Sequence, residues 1–268
     1  MVNPIAFTLF GVSVHWYGVV ISAAIIIGVI LAMRETKRRG MDPDIIIDLA
    51  LWVVPLAVVC ARLFYVLFFV PPEGHPNQFL VDPIRVLYIW EGGLAIYGAV
   101  LGGALGVFLF CRRRKIRWVE MLDILAPSLV LGQAMGRWGN FFNQEAYGYA
   151  VTNPSMQWFP FAVFIQQEQT WHLATFFYES LWCFLVFGFL LWYRKRQRTD
   201  GNLILWYFLL YGLERAFVEG LRTDSLWLIP DVLRISQLLS VIFALTAAVL
   251  LWLNSRRNKS LSRTGRGL

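Results

Sequence analysis

The sequence predicts an all-α integral membrane protein of seven transmembrane helices, with its N-terminus outside the cytoplasm and its C-terminus inside. Three observations carry that expectation. Hydrophobic residues make up 58% of the 268-residue chain and charged residues only 15%, whereas a soluble domain holds roughly 25% charge. Seven apolar segments stand out, at roughly 16–33, 45–70, 93–110, 118–135, 174–193, 203–220 and 234–253. Each approaches the length of about 20 residues that crosses a bilayer as a helix. The basic residues, finally, gather at alternate junctions between these segments.

Each segment must be helical, because lipid offers the backbone no water to bond. The first ends in Arg34, Lys37, Arg38 and Arg39. No Lys or Arg precedes them, so there is no basic n-region and no cleavable signal peptide is expected. The second leads into 71–92, rich in Pro and Gly. Between the third and fourth lie Arg112, Arg113, Arg114, Lys115 and Arg117. The fourth opens into 136–173, which is long, aromatic and almost free of basic residues. Arg194, Lys195, Arg196 and Arg198 join the fifth to the sixth, and Arg256, Arg257, Lys259, Arg263 and Arg266 follow the seventh. Under the positive-inside rule these bursts are cytoplasmic, which requires an odd number of spans.

The expected organisation is one multi-pass membrane domain, 1–268, with an extracytoplasmic loop region at about 136–173. Residues 254–268 read as a basic, disordered tail lying against anionic headgroups. No internal repeat is visible, which weakens a transporter built from duplicated halves. A net charge of +7 is of the sign that nucleic acid attracts, but bursts between apolar runs argue against that partner. Cys60, Cys111 and Cys183 are isolated, without metal spacing or a disulfide pattern, and read as packing residues. His15 and His75 read as surface or interfacial. No metal-ligand cluster and no nucleotide motif appears, so no cofactor and no metal is expected.

The chemistry is sought among the basic residues outside the bursts: Arg62, Arg85, Arg137, Arg215, Arg222 and Arg234. Arg62 and Arg215 fall inside expected spans, where a charge costs roughly 2.5–3.5 kcal/mol and usually faces a functional interior. A structural ion pair is the alternative, above all for Arg62. Tyr211, Arg215, Glu219 and Arg222 recur at helical spacing and form one stripe. Arg62, Arg137 and Arg215 are expected at similar depth in the outer half of the membrane. Guanidinium presents a planar fork of donors that fits phosphate, so an anionic headgroup is the expected ligand.

The densest local pattern is Gly136-Arg137-Trp138-Gly139-Asn140-Phe141-Phe142-Asn143-Gln144-Glu145-Ala146-Tyr147-Gly148. Its glycines permit tight turns and close approach of a ligand. Asn140 and Asn143 offer neutral donors and acceptors, and Glu145 can pair with an arginine. This stretch closely resembles the signature of the prolipoprotein diacylglyceryl transferases, G-R-x-G-N-F-x-N-x-E-x-x-G, and every fixed position matches. The resemblance extends to Tyr17-Gly18, Ala61-Arg62-Leu63, Trp90 through Gly98, Asp123, Ala126-Pro127, Tyr178-Glu179-Ser180, the Tyr211 stripe and Ser236-Gln237.

That resemblance implies transfer of the sn-1,2-diacylglyceryl group from phosphatidylglycerol to the lipobox cysteine of a prolipoprotein signal peptide. A thioether forms and glycerol 1-phosphate leaves. It implies a bacterial cytoplasmic membrane location, with the active site toward the outer leaflet. Arg137, Arg215 and Tyr97 are the expected catalytic residues, and Arg137, Asn140 and Arg215 the expected phosphatidylglycerol ligands. Tyr17, Arg62, Asn143, Glu145, Gly148, Tyr211, Glu219 and Arg222 are expected to support them. Two positions depart from the family. Tyr97 stands where many members carry histidine, so a histidine general base is not available there. His172-Leu173 replaces a His-Pro pair, which loosens any role for His172. A transporter using the same arginines would need an opening on the cytoplasmic side, where Asp48 and Asp123 are the only intramembrane charges expected.

Overall fold

The computed structural model describes residues 3–9, 11–71, 76–197, 199–223, 227–229 and 233–263; His75 lies outside the described residues. The helices are α1 (Trp16–Arg38), α2 (Asp44–Leu67), the short α3 (Gln78–Val81), α4 (Ile96–Arg114), α5 (Trp118–Asn143), α6 (Thr175–Tyr193), α7 (Asn202–Val218) and α8 (Ile235–Arg263). Three antiparallel hairpins accompany them: β1 (Ile5–Leu9) with β2 (Val12–His15), β3 (Ala162–Ile165) with β4 (Thr170–Leu173), and β5 (Trp227–Ile229) with β6 (Leu233–Arg234). The sequence reading contained no strands. These are two to five residues long, too short for a hydrophobic period to reveal.

Among the described residues, six helices are long and apolar enough to cross a membrane: α1, α2, α4, α5, α6 and α8 as far as Asn258. The protein is thus a mostly helical membrane protein. The α-helix α7 has 17 residues and passes directly into a 3-10 turn at Glu219–Leu221. The helix α8 runs on through Arg263, into the stretch read as a tail, and 264–268 lie outside the described residues.

The chain divides into two compact units, residues 1–32 with 122–268, and residues 33–121. In the first, Ala126, Val130 and Ala134 present a small-residue face of α5 at four-residue spacing. Against it pack Cys183, Val186 and Leu190 of α6, and Leu203, Ile204 and Tyr207 of α7. Asp123 is fully buried and accepts hydrogen bonds from the backbone N–H of Gly201 (2.6 Å) and Ile204 (2.9 Å) and from Gln197. It therefore caps the N-terminus of α7, where a carboxylate is favoured by the unpaired N–H groups and the helix dipole. The Ser128 hydroxyl of α5 donates to the Gly28 carbonyl of α1 at 2.8 Å.

In the second unit, α4 lies against α2 along Gly98, Gly102 and Gly106. A Cβ at Gly102 would meet the Cys60 Cβ at 2.5 Å, and one at Gly98 the Phe64 Cβ at 2.6 Å. This is the small-residue spacing that lets membrane helices approach backbone to backbone. At the basic ends, Arg114 pairs with Asp48 at 2.5 Å, and Glu35 with Arg38 and Arg39 at 2.5 and 3.1 Å. Cys111 and Cys183 are buried and Cys60 is partly buried at the α2–α4 contact, so all three pack as expected.

Candidate active site

The site is built from the ends of three helices in the first unit. Glu179, in the second turn of α6, is the only charged residue of that helix and is fully buried. A lone buried carboxylate is costly unless paired, and here three arginines surround it. Arg137 Nε of α5 lies 3.0 Å from Glu179 Oε2, Arg215 Nη1 of α7 lies 2.8 Å from Oε1, and Arg222 Nη1 lies 3.9 Å from Oε2. Arg215 also pairs through Nη2 with Glu219 at 2.6 Å, one turn on. Within the expected stripe Arg215 and Glu219 pair directly, while Arg222 lies past the end of α7 in extended backbone and approaches the same Glu179.

Hydrogen bonds fix the hub. Ser180 donates to the Ala134 carbonyl at 2.8 Å and receives the Trp138 indole N–H at 3.0 Å, tying α6 to α5 beside Glu179. Glu214, one residue before Arg215, is buried but makes none of these contacts; its oxygens find no hydrogen-bond donor among the described residues.

The signature does not form a loop, as its glycines suggested. Gly136 through Asn143 are the last two turns of α5. Gly139 is needed for approach rather than for a turn, because a Cβ there would lie 2.5 Å from the Tyr17 ring. The helix ends at Gln144, which takes a left-handed φ of 52°. The Gln144 N–H bonds to the Phe141 carbonyl at 3.1 Å and the Glu145 N–H to that of Asn140 at 3.0 Å. This is a Schellman termination without its usual glycine. It folds Glu145 back over the helix end, where Oε1 accepts from Asn140 (2.9 Å) and Asn143 (3.3 Å). Asn140 Oδ1 in turn accepts from Arg137 Nη1 at 3.3 Å. The polar chain thus runs Glu145, Asn140, Arg137, Glu179, Arg215, Glu219.

Gly148 closes the signature. A Cβ there would meet the Leu221 carbonyl at 2.9 Å and the Leu173 Cβ at 2.8 Å. Its backbone forms an antiparallel bridge to Arg222, and its N–H donates to the Leu173 carbonyl at 3.0 Å. His172 is buried there, its Nδ1–H donating to the Gly148 carbonyl at 2.8 Å and its Nε2 lying 2.9 Å from Glu168. It is a structural member of this loop. His15 is exposed on β2, as expected. Tyr211 stacks on Tyr207 at 5.6 Å between ring centroids.

Of the expected residues, Tyr17, Arg137, Asn140, Asn143, Glu145, Gly148, Tyr211, Arg215, Glu219 and Arg222 belong to this unit. Arg62 and Tyr97 belong to the second. The Arg62 guanidinium is occupied by backbone: Nε donates to Val86 (3.0 Å), Nη2 to Arg85 (2.6 Å), and Nη1 to Gly92 (2.6 Å) and Gly93 (3.1 Å). It clasps the segment leading to α4. Tyr97 stands in the first turn of α4, its ring 6.3 Å from that of Phe64. Glu179 is the site residue that the sequence reading did not single out.

The cluster's chemistry follows from its charges. Among the described residues in direct ion-pair contact, Arg137, Arg215 and Arg222 face Glu179 and Glu219. The guanidinium groups keep some exposure while Glu179 and Glu219 do not. Such an array holds guanidinium donors in fixed positions suited to an anion.

A family model described as prolipoprotein diacylglyceryl transferase matches residues 4–253. A protein of Pediococcus pentosaceus is 45% identical over 251 residues, covering 91% of this chain and 87% of its own. One of Halalkalibacterium halodurans is 41% identical over 254 residues, covering 93% and 85%. One of Enterococcus faecalis is 42% identical over 266 residues, covering 97% and 93%. Each of the three is named phosphatidylglycerol–prolipoprotein diacylglyceryl transferase.

Proposed function

The chain belongs to the prolipoprotein diacylglyceryl transferase family, and we propose that its Arg137–Glu179–Arg215 cluster is where that family's reaction takes place. The enzyme moves the sn-1,2-diacylglyceryl group of phosphatidylglycerol to the lipobox cysteine thiol of prolipoproteins, the first step of lipoprotein maturation. The cysteine, having given up its thiol proton, attacks as the thiolate at the glycerol carbon that bears the phosphate ester. A C–S bond forms, the C–O bond breaks, and the electron pair leaves with glycerol 1-phosphate.

Phosphate charge rises from one to two as that bond breaks. Cations held in place at the phosphate therefore stabilise the transition state more than the bound lipid, which is the condition for catalysis. Arg137 and Arg215 take this role. Their guanidinium groups are held from two helices by one buried carboxylate, and that single observation carries the reading. Asn140, Asn143 and Glu145 hold Arg137 in orientation and border the headgroup. Arg222 and Glu219 complete the charge balance, Gly148 fixes the loop against Arg222, and Tyr17 and Tyr211 flank the guanidinium groups. Tyr97 is assigned a hydrogen-bonding role in place of the histidine of the family pattern, and Arg62 supports the segment before it. The protein's own cysteines are buried or packed, so the acceptor thiol comes from the substrate and transfer is direct.

The same reading includes seven spans. The 17 residues of α7 and the three of the following 3-10 turn together rise about 31 Å, enough for a hydrocarbon core of about 30 Å. The basic bursts lie at the α1–α2, α4–α5 and α6–α7 junctions and at the end of α8, and the positive-inside rule supports a cytoplasmic position for those ends in a bacterial cell membrane. Arg137, Glu179 and Arg215 stand at the opposite ends of their helices, toward the outer leaflet. The test is direct: purified protein, phosphatidylglycerol vesicles and a lipobox peptide should yield thioether-linked diacylglyceryl peptide. Binding of the lipid with no thioether product would leave only a lipid-binding protein.

A further inference from the structure

From Gly148 to Gln167 the chain carries no Asp, Glu, Lys or Arg. The stretch is not a span. It contains a 3-10 turn at Pro154–Met156 and the strand β3, and it returns through β4. Yet Met156, Trp158, Phe159, Phe161 and Phe164 are 37–50% exposed. A contiguous exposed patch of this chemistry marks a surface that is covered by something.

Two observations identify the cover. Both ends of the segment are held by membrane-spanning helices, α5 ending at Asn143 and α6 beginning at Thr175. The patch also continues onto the apolar flank of α6. Phe159 packs edge-on to Phe177 with centroids 4.8 Å apart, and Leu181 and Leu185 follow at one-turn intervals, both at least half exposed. Trp158 sits edge-on to Phe161 at 4.9 Å, and Phe164 pairs across the hairpin with Trp171 at 5.8 Å. The opposite face of the hairpin is already filled, since Ile165 and His172 are buried.

We propose that Met156, Trp158, Phe161 and Phe164 form a membrane-interface anchor, seated in the headgroup–acyl boundary of the leaflet at which α5 ends. An irregular backbone cannot enter hydrocarbon, because its unpaired N–H and C=O groups would lose their water. The Trp158 indole, with an apolar body and a polar N–H edge, is suited to the boundary itself, and Phe161, Phe164 and Met156 add apolar area beside it. Through the Gly148 bridge to Arg222, the anchor fixes the height of the C-terminal end of the signature relative to the lipid headgroups.

The unmodified protein in phosphatidylglycerol–phosphatidylcholine vesicles provides the test. Two photoreactive phosphatidylcholines are used, one with its diazirine near the glycerol backbone and one at the acyl terminus. Adducts are mapped by mass spectrometry. The shallow probe should label peptides spanning 156–164, and the deep probe should label α6 but not this segment. Replacing Trp158 and Phe161 together by serine should lower the shallow yield on the segment severalfold while adducts on α6 stay constant. Labelling of α6 with neither probe reaching 156–164 overturns the proposal. Photoadducts there only from a bound lipobox signal peptide would assign the face to that peptide instead, which overturns it equally.

Discussion

Glu179 and Arg215 face each other across the α6–α7 contact at 2.8 Å, the carboxylate almost wholly shielded from solvent. Removing one partner of such a pair strands the other, at a cost on the order of 3–5 kcal/mol. Glu179→Ala should therefore lower the thermal midpoint in detergent and abolish thioether formation. Glu179→Gln keeps the shape and one acceptor but not the charge, so it should recover stability more than activity. Equal recovery of both would reduce Glu179 to a packing residue.

The Tyr17 ring occupies the space in which a Cβ at Gly139 would sit, at 2.5 Å. Overpacking of this kind costs about 1–3 kcal/mol. Gly139→Ala should depress both stability and transfer, and shortening Tyr17 to alanine in the same chain should restore stability but not transfer. Strict additivity of the two substitutions in a thermal-melt cycle would contradict the contact.

The seven segments read from hydrophobic length alone match helix starts within a few residues, because lipid imposes one solution on any apolar run. The arginine stripe was legible for the same reason: charge inside a span demands a partner. The same logic holds for Glu179, the only charged residue of α6. The role of Arg62 was hidden, since its partners are carbonyls of Arg85, Val86, Gly92 and Gly93, which no side-chain pattern can announce. The end of α5 was misjudged because its termination uses Gln144 in a conformation usually left to glycine. The short hairpins fell below the length at which alternation speaks.

Topology is open to chemical labelling. With Cys60, Cys111 and Cys183 replaced by alanine, a single cysteine at Asn153 should react with an impermeant thiol reagent in intact cells. One at Thr199 should react only after lysis. Preferential labelling of Thr199 in intact cells would invert the proposed orientation.

Tyr97 stands at the start of α4, where the family resemblance implies a histidine. If its hydroxyl supplies only a hydrogen bond, Tyr97→Phe should lose a modest factor in rate at saturating lipid and peptide. An obligatory proton acceptor would instead lose about 10²–10⁴-fold. The hydrogen-bonding role is expected, and a loss beyond about a hundredfold across the working pH range would favour the acid–base one.

The central claim is that Arg137 holds the phosphate through a fixed guanidinium fork shared with Glu179 and Asn140. It is tested most directly by the rate of thioether formation with Arg137→Ala and Arg137→Lys at matched expression and fold. The alanine variant should be inactive. The lysine variant should recover little, because a single ammonium cannot bond Glu179, Asn140 and a phosphate with the same geometry. A lysine variant working at near the unmodified rate would show that positive charge alone suffices, and the account of the site would fail.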